Sequence, residues 1–199
     1  MDDSFKKILI MAESPERTAA IAQWVQSLYP EKDIPILVGG SAVELYTGGA
    51  YITGDLDFVG HVPTQARKAL TVAGFVKLGK NWIHEEAKIF LEFPSSNLGE
   101  GEREAVLNLG PFRIRIVSPE DLLVDRMAAW KYWESPLDGV NSFLLYRAQY
   151  DSLDKAHLEE RSMTEDVLDV LAAVRSLYRE YPDEFPAHEI LEKWSLKVK

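Results

Sequence analysis

An apolar run, Ile34 to Val38, closes on Gly39-Gly40-Ser41, and thirteen residues later the chain alternates Asp55-Leu56-Asp57-Phe58. This pairing constrains the fold more than any other feature. A short apolar run ending in two glycines reads as a buried strand feeding a tight turn. Acid alternating with a large apolar residue reads as a second strand, Leu56 to Val59, with Asp55 at its edge and Asp57 inside it. Alternate strand residues share a face, so both carboxylates point one way while Leu56 and Phe58 point into a core. Between the strands, Ser41 to Tyr46 reads as a short helix that Gly48-Gly49 breaks.

The rest of the chain fits around this unit. The first thirty residues read as helical, with Ser14-Pro15-Glu16 as an N-cap and a first-turn proline, and Ala19, Ala20, Trp24 and Leu28 at helical spacing up to Pro30. Pro63 to Ala73 reads as a helix closed by Gly74. Phe75–Leu78, Trp82–Glu85, Ile89–Phe93, Ala105–Leu109 and Phe112–Val117 read as strands joined by turns. From Ser118 the pattern is helical: Pro119–Trp133, Gly139–Leu158, Thr164–Tyr178 and His188–Trp194. The expected fold class is α/β (α+β), a mixed sheet flanked by helices. Residues 1–133 are expected to form the core and 134–199 a helical C-terminal segment.

Composition narrows the function. The 199 residues carry 32 acidic against 22 basic side chains, a net charge of −10, which argues against an extensive grip on duplex DNA. No cysteine is present, so disulfides, thiolate catalysis and Cys-type zinc sites are excluded. The apolar stretch Ile8 to Ala12 is too short for a signal peptide or a membrane span, so a soluble cytoplasmic protein without a membrane role is expected. The four histidines, His61, His84, His157 and His188, show no metal-ligand spacing.

The acid pair and the glycine turn suggest a chemistry together. Two carboxylates on one strand face can hold one or two divalent cations, and Mg²⁺ keeps positions open for phosphate oxygens. Gly39 and Gly40 let backbone N–H groups approach a phosphate closely, and Ser41 stands at a helix start, where free N–H groups and the helix dipole favour anions. The pattern hydrophobic-Gly-Gly-Ser, spacer, Asp-hydrophobic-Asp-hydrophobic resembles the nucleotidyltransferase-fold superfamily. Thr53 completes a Thr-x-Asp-x-Asp form like that of small prokaryotic members, including proteins similar to toxin components of abortive-infection and toxin–antitoxin systems. Where such proteins often carry an arginine two residues before the threonine, this chain has Tyr51. Ser118 to Ala129 resembles the helix that follows the sheet in these proteins, with Arg126 at the place of its usual basic residue.

The resemblance implies that Asp55 and Asp57 bind Mg²⁺ or Mn²⁺ and that Gly39, Gly40 and Ser41 bind the phosphates of an NTP. It also implies a third acid on a neighbouring strand, for which Glu92 is the best candidate. Alternation sets Glu92 with Phe90 opposite Ile89, Leu91 and Phe93; the alternative is a solvent-facing glutamate, and Glu85 and Glu86 compete from a turn. On the helix from Pro119, Arg126 projects between Trp130 and Trp133, and Lys131 between Met127 and Val124, so both are expected to contact phosphate. A structural ion pair of Arg126 with Asp121 or Asp125 is the alternative, as is snorkelling for Lys131. Tyr146, Tyr150, Tyr178, Tyr181 and Trp194 fit helical packing better than a base-stacking platform.

The implied activity is transfer of an NMP group from an NTP to an acceptor hydroxyl on RNA, protein or a small molecule. Three rivals stand beside it. One is a catalytically inactive nucleotide-binding protein on the same fold, another a toxin–antitoxin component that needs a partner chain, and the third a structural domain without a ligand.

Overall fold

The computed structural model describes residues 3–182 and 185–196. Two compact units meet at Ser118 and Pro119. Helix Pro119–Trp133 therefore counts with the helical unit, fifteen residues before the boundary read from the sequence.

The first unit opens with α1 (Asp3–Leu9) and α2 (Pro15–Ser27), so the helical opening is two helices. Ser14 starts α2 as the pattern requires, its hydroxyl accepting the Arg17 N–H at 3.3 Å. A 3₁₀ turn, Glu31–Asp33, leads into β1 (Ile36–Val38). Next come α3 (Gly39–Tyr46), β2 (Asp55–Val59) and α4 (Thr64–Ala73), which ends on left-handed Gly74. The helix α3 begins at Gly39 rather than Ser41, with the left-handed Gly39 making the turn into it. Strands β3 (Val76–Leu78), β4 (Asn81–His84), β5 (Ile89–Glu92), β6 (Glu104–Leu109) and β7 (Phe112–Val117) follow.

Among the described residues these strands make one seven-stranded sheet, ordered β3-β4-β5-β2-β1-β7-β6. Strand β2 runs antiparallel to β1 and parallel to β5, and β1 runs parallel to β7. Leu37, Leu56, Phe58, Leu91, Ile114 and Ile116 share the buried face, and each is 4% exposed or less. Helices α2 and α3 cover it. Burying such a side chain contributes about 1.5–3 kcal/mol, so this face holds the sheet and fixes its register. Strand β1 is short, and α2 compensates: the buried Gln26 side chain donates to Pro35 O and Arg115 O and accepts the Arg115 N–H at 3.0 Å. Without it those backbone groups would be buried unpaired.

The second unit is helical: α5 (Pro119–Trp133), α6 (Pro136–Gln149), α7 (Lys155–Thr164), α8 (Leu168–Glu180) and α9 (His188–Ser195). The helix expected over Gly139–Leu158 is in fact two. Asp154 ends the run by capping α7, accepting the His157 N–H at 3.1 Å, and the Glu120 carboxylate takes Asp154's own N–H at 2.7 Å. Asp121 is fully buried and is held by Arg161 at 3.0 Å and by His157. The expected aromatic packing is present: Tyr146, Tyr150 and Tyr178 form one cluster, while Trp194 lies 4.5 Å from Trp130.

Helices α5 and α6 approach closely because residue 139 has no side chain. A Cβ there would sit 2.6 Å from the Trp130 ring, which is itself buried and donates its Nε1–H to Ser195 O at 2.7 Å. Gly139→Ala must therefore displace Trp130 or part the helices. A loss of about 1–3 kcal/mol is expected from such overpacking, read as a lower urea midpoint at unchanged slope. An unshifted midpoint would show that the contact yields freely.

Candidate functional site

The register places the acids. Asp57 pairs with Val38 on one side and Glu92 on the other, and Asp55 pairs with Phe90. Directly paired residues face the same way, so Asp55, Asp57 and Glu92 share the sheet face opposite the core. Asp55 is exposed and Asp57 half-buried, while Leu56 and Phe58 are buried as their alternation requires.

The glycine turn closes on this row from β1. Gly39 has φ +66°, a left-handed backbone that favours glycine. A Cβ on it would lie 2.2 Å from Asp57 Oδ2, so the turn backbone is pressed against that carboxylate. Gly40 leaves room for Thr53, whose Oγ1 would lie 3.2 Å from an added Cβ. Helix α3 starts here with Val38 as N-cap and no side-chain cap. First-turn N–H groups have no acceptor within their own helix and carry its positive dipole end.

Ser41 does not extend this surface through its hydroxyl. The residue is fully buried, and its Oγ donates back to Val38 O at 3.3 Å. Only its backbone N–H belongs to the helix terminus. Glu92 lies in the acid row, but Lys80 reaches its Oε1 at 2.5 Å. Arg126 and Lys131 are engaged within the helical unit. Arg126 pairs with Asp125 and, at 2.8 Å, with Asp138, while Lys131 pairs with Asp169 at 3.0 Å and with Asp166. Burial opposes the charge of Arg126, yet its two carboxylates outweigh that and hold the guanidinium above the ordinary arginine range. Asp125 is one of the two partners the sequence suggested; Asp138 comes from α6.

A second set of residues supports the site from the core side, and the sequence reading missed it. Glu44 on α3 is 1% exposed, accepting from the Thr18 hydroxyl at 2.9 Å and from the Thr53 N–H at 3.3 Å. Thr53 Oγ1 in turn accepts the Asp55 N–H at 3.5 Å. One carboxylate thus ties α2, α3 and the approach to β2 together. It also lines a cavity of ≈ 160 Å³ with Arg17, Thr18, Thr53 and Leu56. The available signal was an acid between Val43 and Leu45 in an otherwise apolar helix.

The donor set bears on a metal. Among the described residues no three or more His, Asp or Glu side chains form a group that could hold an ion. A protein-only cage is therefore absent there. Asp55 and Asp57 beside an uncapped helix start fit the other mode, a Mg²⁺ held by one or two carboxylates and completed by substrate phosphate and water.

The chain has a nucleotidyltransferase-like fold. It matches the crystal structure of an antigenic nucleotidyltransferase-like protein from Paracoccidioides brasiliensis with a TM-score of 0.56 and 16% identity, over 94% of this chain and 95% of that one. No protein-family model and no curated protein matches the sequence. Among the described residues no helix is long and apolar enough to cross a membrane.

Two measurements check the geometry. Gly39→Ala should cost about 1–3 kcal/mol more than Gly48→Ala. Both glycines have left-handed backbone, φ +66° and +61°, but a Cβ at Gly48 meets nothing within 4 Å. Equal losses by chemical denaturation would mean that the turn does not abut Asp57. The second uses Glu44, whose pKa burial raises despite the hydrogen bonds from Thr18 and Thr53. A raised carboxylate favours the folded state while protonated and forfeits that contribution as pH climbs through its folded pKa. The stability of Glu44→Gln minus that of wild type should therefore increase with pH above the ordinary glutamate range. A flat or falling difference would contradict this burial.

Proposed function

We propose that the chain is a metal-dependent nucleotidyltransferase that moves an NMP group from an NTP to an acceptor hydroxyl. The observation carrying this reading is the Gly39 turn pressed on the Asp57 carboxylate, on the face that also presents Asp55 and Glu92. A site that brings metal-binding acids against bare backbone at a helix start suits a phosphate chain bridged by a cation. The shared fold with a nucleotidyltransferase-like protein supports the same class.

In this reading Asp55 and Asp57 hold Mg²⁺ or Mn²⁺, and the backbone of Gly39, Gly40 and Ser41 binds phosphate oxygens. The bound ion supplies charge neutralisation at the phosphates. The acceptor oxygen forms a bond to the α-phosphorus, the bond to the bridging oxygen breaks, and pyrophosphate leaves with that electron pair. The hydroxyl proton passes to Glu92 or to solvent. Arg126 and Lys131 would bind phosphate only by exchanging the carboxylates they now hold. A cytoplasmic setting follows from NTP as substrate, whereas dependence on a partner chain rests on the sequence resemblance alone.

One observation favours a second reading, nucleotide binding without turnover: Lys80 already occupies a carboxylate oxygen of Glu92. A single experiment separates the two. The protein is incubated with α-phosphate-labelled NTPs, Mg²⁺ or Mn²⁺, and cellular RNA and protein. The enzyme reading expects label on one acceptor class, reduced to background by Asp57→Ala. Nucleotide binding with no transfer by wild type would favour the second reading, and transfer undiminished by Asp57→Ala would remove the site assigned here.

A further inference from the structure

Packing accounts for only one side of the tyrosine cluster in the helical unit. Its other side opens into a pocket of ≈ 420 Å³ walled by Tyr146, Tyr150, Tyr178, Lys155, Arg175 and Arg179, with Pro182 at the rim. Among the described residues no carboxylate lines it, in a chain whose net charge is −10. Arg175 pairs with Glu159 at 2.9 Å, both partly exposed; among the described residues Lys155 and Arg179 make no ion pair. The rim is anchored, because Arg147 donates to Tyr181 O at 2.6 Å and to Pro182 O.

We infer that this pocket binds a single-stranded polynucleotide, taking one base against Tyr150 and its neighbouring phosphates on Lys155, Arg175 and Arg179. Tyr150 stacks on Tyr178 with ring centroids 4.4 Å apart, and the Lys155 ammonium covers a ring at 4.5 Å. Lys155 is exposed and long, so a base can take its place over the ring while the ammonium moves to a phosphodiester. The exchange trades a cation–π contact, about 0.5–1 kcal/mol at an exposed site, for base stacking of about 1–3 kcal/mol plus an ion pair.

Three cations around one concavity exceed what a lone phosphate needs and match consecutive phosphates on a flexible strand. A duplex keeps its bases paired and stacked, out of reach of Tyr150. An acidic peptide would use the cations but gain nothing from the ring face. The inference deepens the acceptor half of the function proposed above and rests on it, because a polynucleotide end supplies the acceptor hydroxyl.

Binding can be tested without turnover. Full-length wild type and Asp57→Ala are titrated into a fluorescent unstructured ten-nucleotide RNA, its DNA counterpart, and competing AMP or tripolyphosphate, across a salt series. Both proteins should bind an oligonucleotide, more weakly as salt rises. Lys155→Glu/Arg179→Glu should weaken binding at least about tenfold, since each lost phosphate contact also lowers the salt slope by about one. Lys155→Gln/Arg179→Gln should shift in the same direction by less, which guards against misfolding of the charge reversal. Tyr150→Ala should weaken the oligonucleotide and leave tripolyphosphate competition unchanged. RNA and DNA preferences identify the sugar and leave the assignment standing. The pocket assignment fails if no oligonucleotide binds, if the charge variants bind like wild type, or if tripolyphosphate alone binds. Oligonucleotide binding without label transfer in the earlier assay would leave the pocket standing and remove the catalytic reading. Label transfer to protein with no oligonucleotide binding would do the reverse.

Discussion

The contact between the Gly39 backbone and the Asp57 carboxylate is the constraint on which the rest of the sheet unit's chemistry depends. Antiparallel pairing of β1 with β2 sets Val38 opposite Asp57, so the residue after Val38 must turn away directly beside that carboxylate. Only a residue without Cβ fits, and its left-handed φ aims the following segment into α3. A single backbone event therefore places an uncapped helix start next to an acid row. The acid row follows from pairing as well, since Glu92 shares the face of Asp57 because β5 lies parallel to β2 in that register.

Holding this arrangement requires a support that is itself costly. Glu44 is a buried carboxylate whose donors are the Thr18 hydroxyl and the Thr53 N–H. Burial raises the energy of its charged form, so its hydrogen bonds recover only part of what solvation would supply. An apolar residue would pack α3 against α2 at lower cost, but it would leave the Thr53 N–H without an acceptor. Thr53 in turn carries the turn's other clearance, against Gly40, and accepts from Asp55. The polar chain Thr18–Glu44–Thr53–Asp55 thus trades stability for a defined path into β2, a trade found where geometry matters beyond folding.

Much of the sheet unit was legible in the sequence because its signals are local. The alternation at Asp55–Phe58, the glycine turn, the Ser14 cap and the strand pairs from Phe75 to Val117 all depend on neighbours in the chain, and they appear where periodicity puts them. What escaped was set by distant partners. The run from Gly139 to Leu158 keeps a helical pattern throughout, and its break comes from Asp154 together with Glu120 on another helix. Arg126 was assigned to phosphate from its place on a helical wheel, yet Asp138 arrives from α6 to meet it. Ser41 was placed at the helix start without the full burial of its side chain, whose hydroxyl turns back to Val38 O. Lys80 cannot be related to Glu92 without the pairing of β4 with β5, which sets Asn81 opposite Glu92.

Charge follows the same logic at larger scale. A chain with ten more acids than bases cannot draw a polyanion by its overall field, so any phosphate it binds must be met locally. In the sheet unit that means a helix terminus with metal-binding acids, an arrangement in which the protein contributes negative charge and a cation inverts it. In the helical unit Arg126, Lys131, Arg161 and Arg175 already have carboxylate partners. Lys155 and Arg179 differ, since among the described residues neither has one. Few free cations imply few released counterions, and so a shallow salt dependence for whatever binds them. The excess of acid elsewhere disfavours long polyanions lying across the surface. Recognition is thereby confined to a short stretch of chain, read by one ring and a handful of charges.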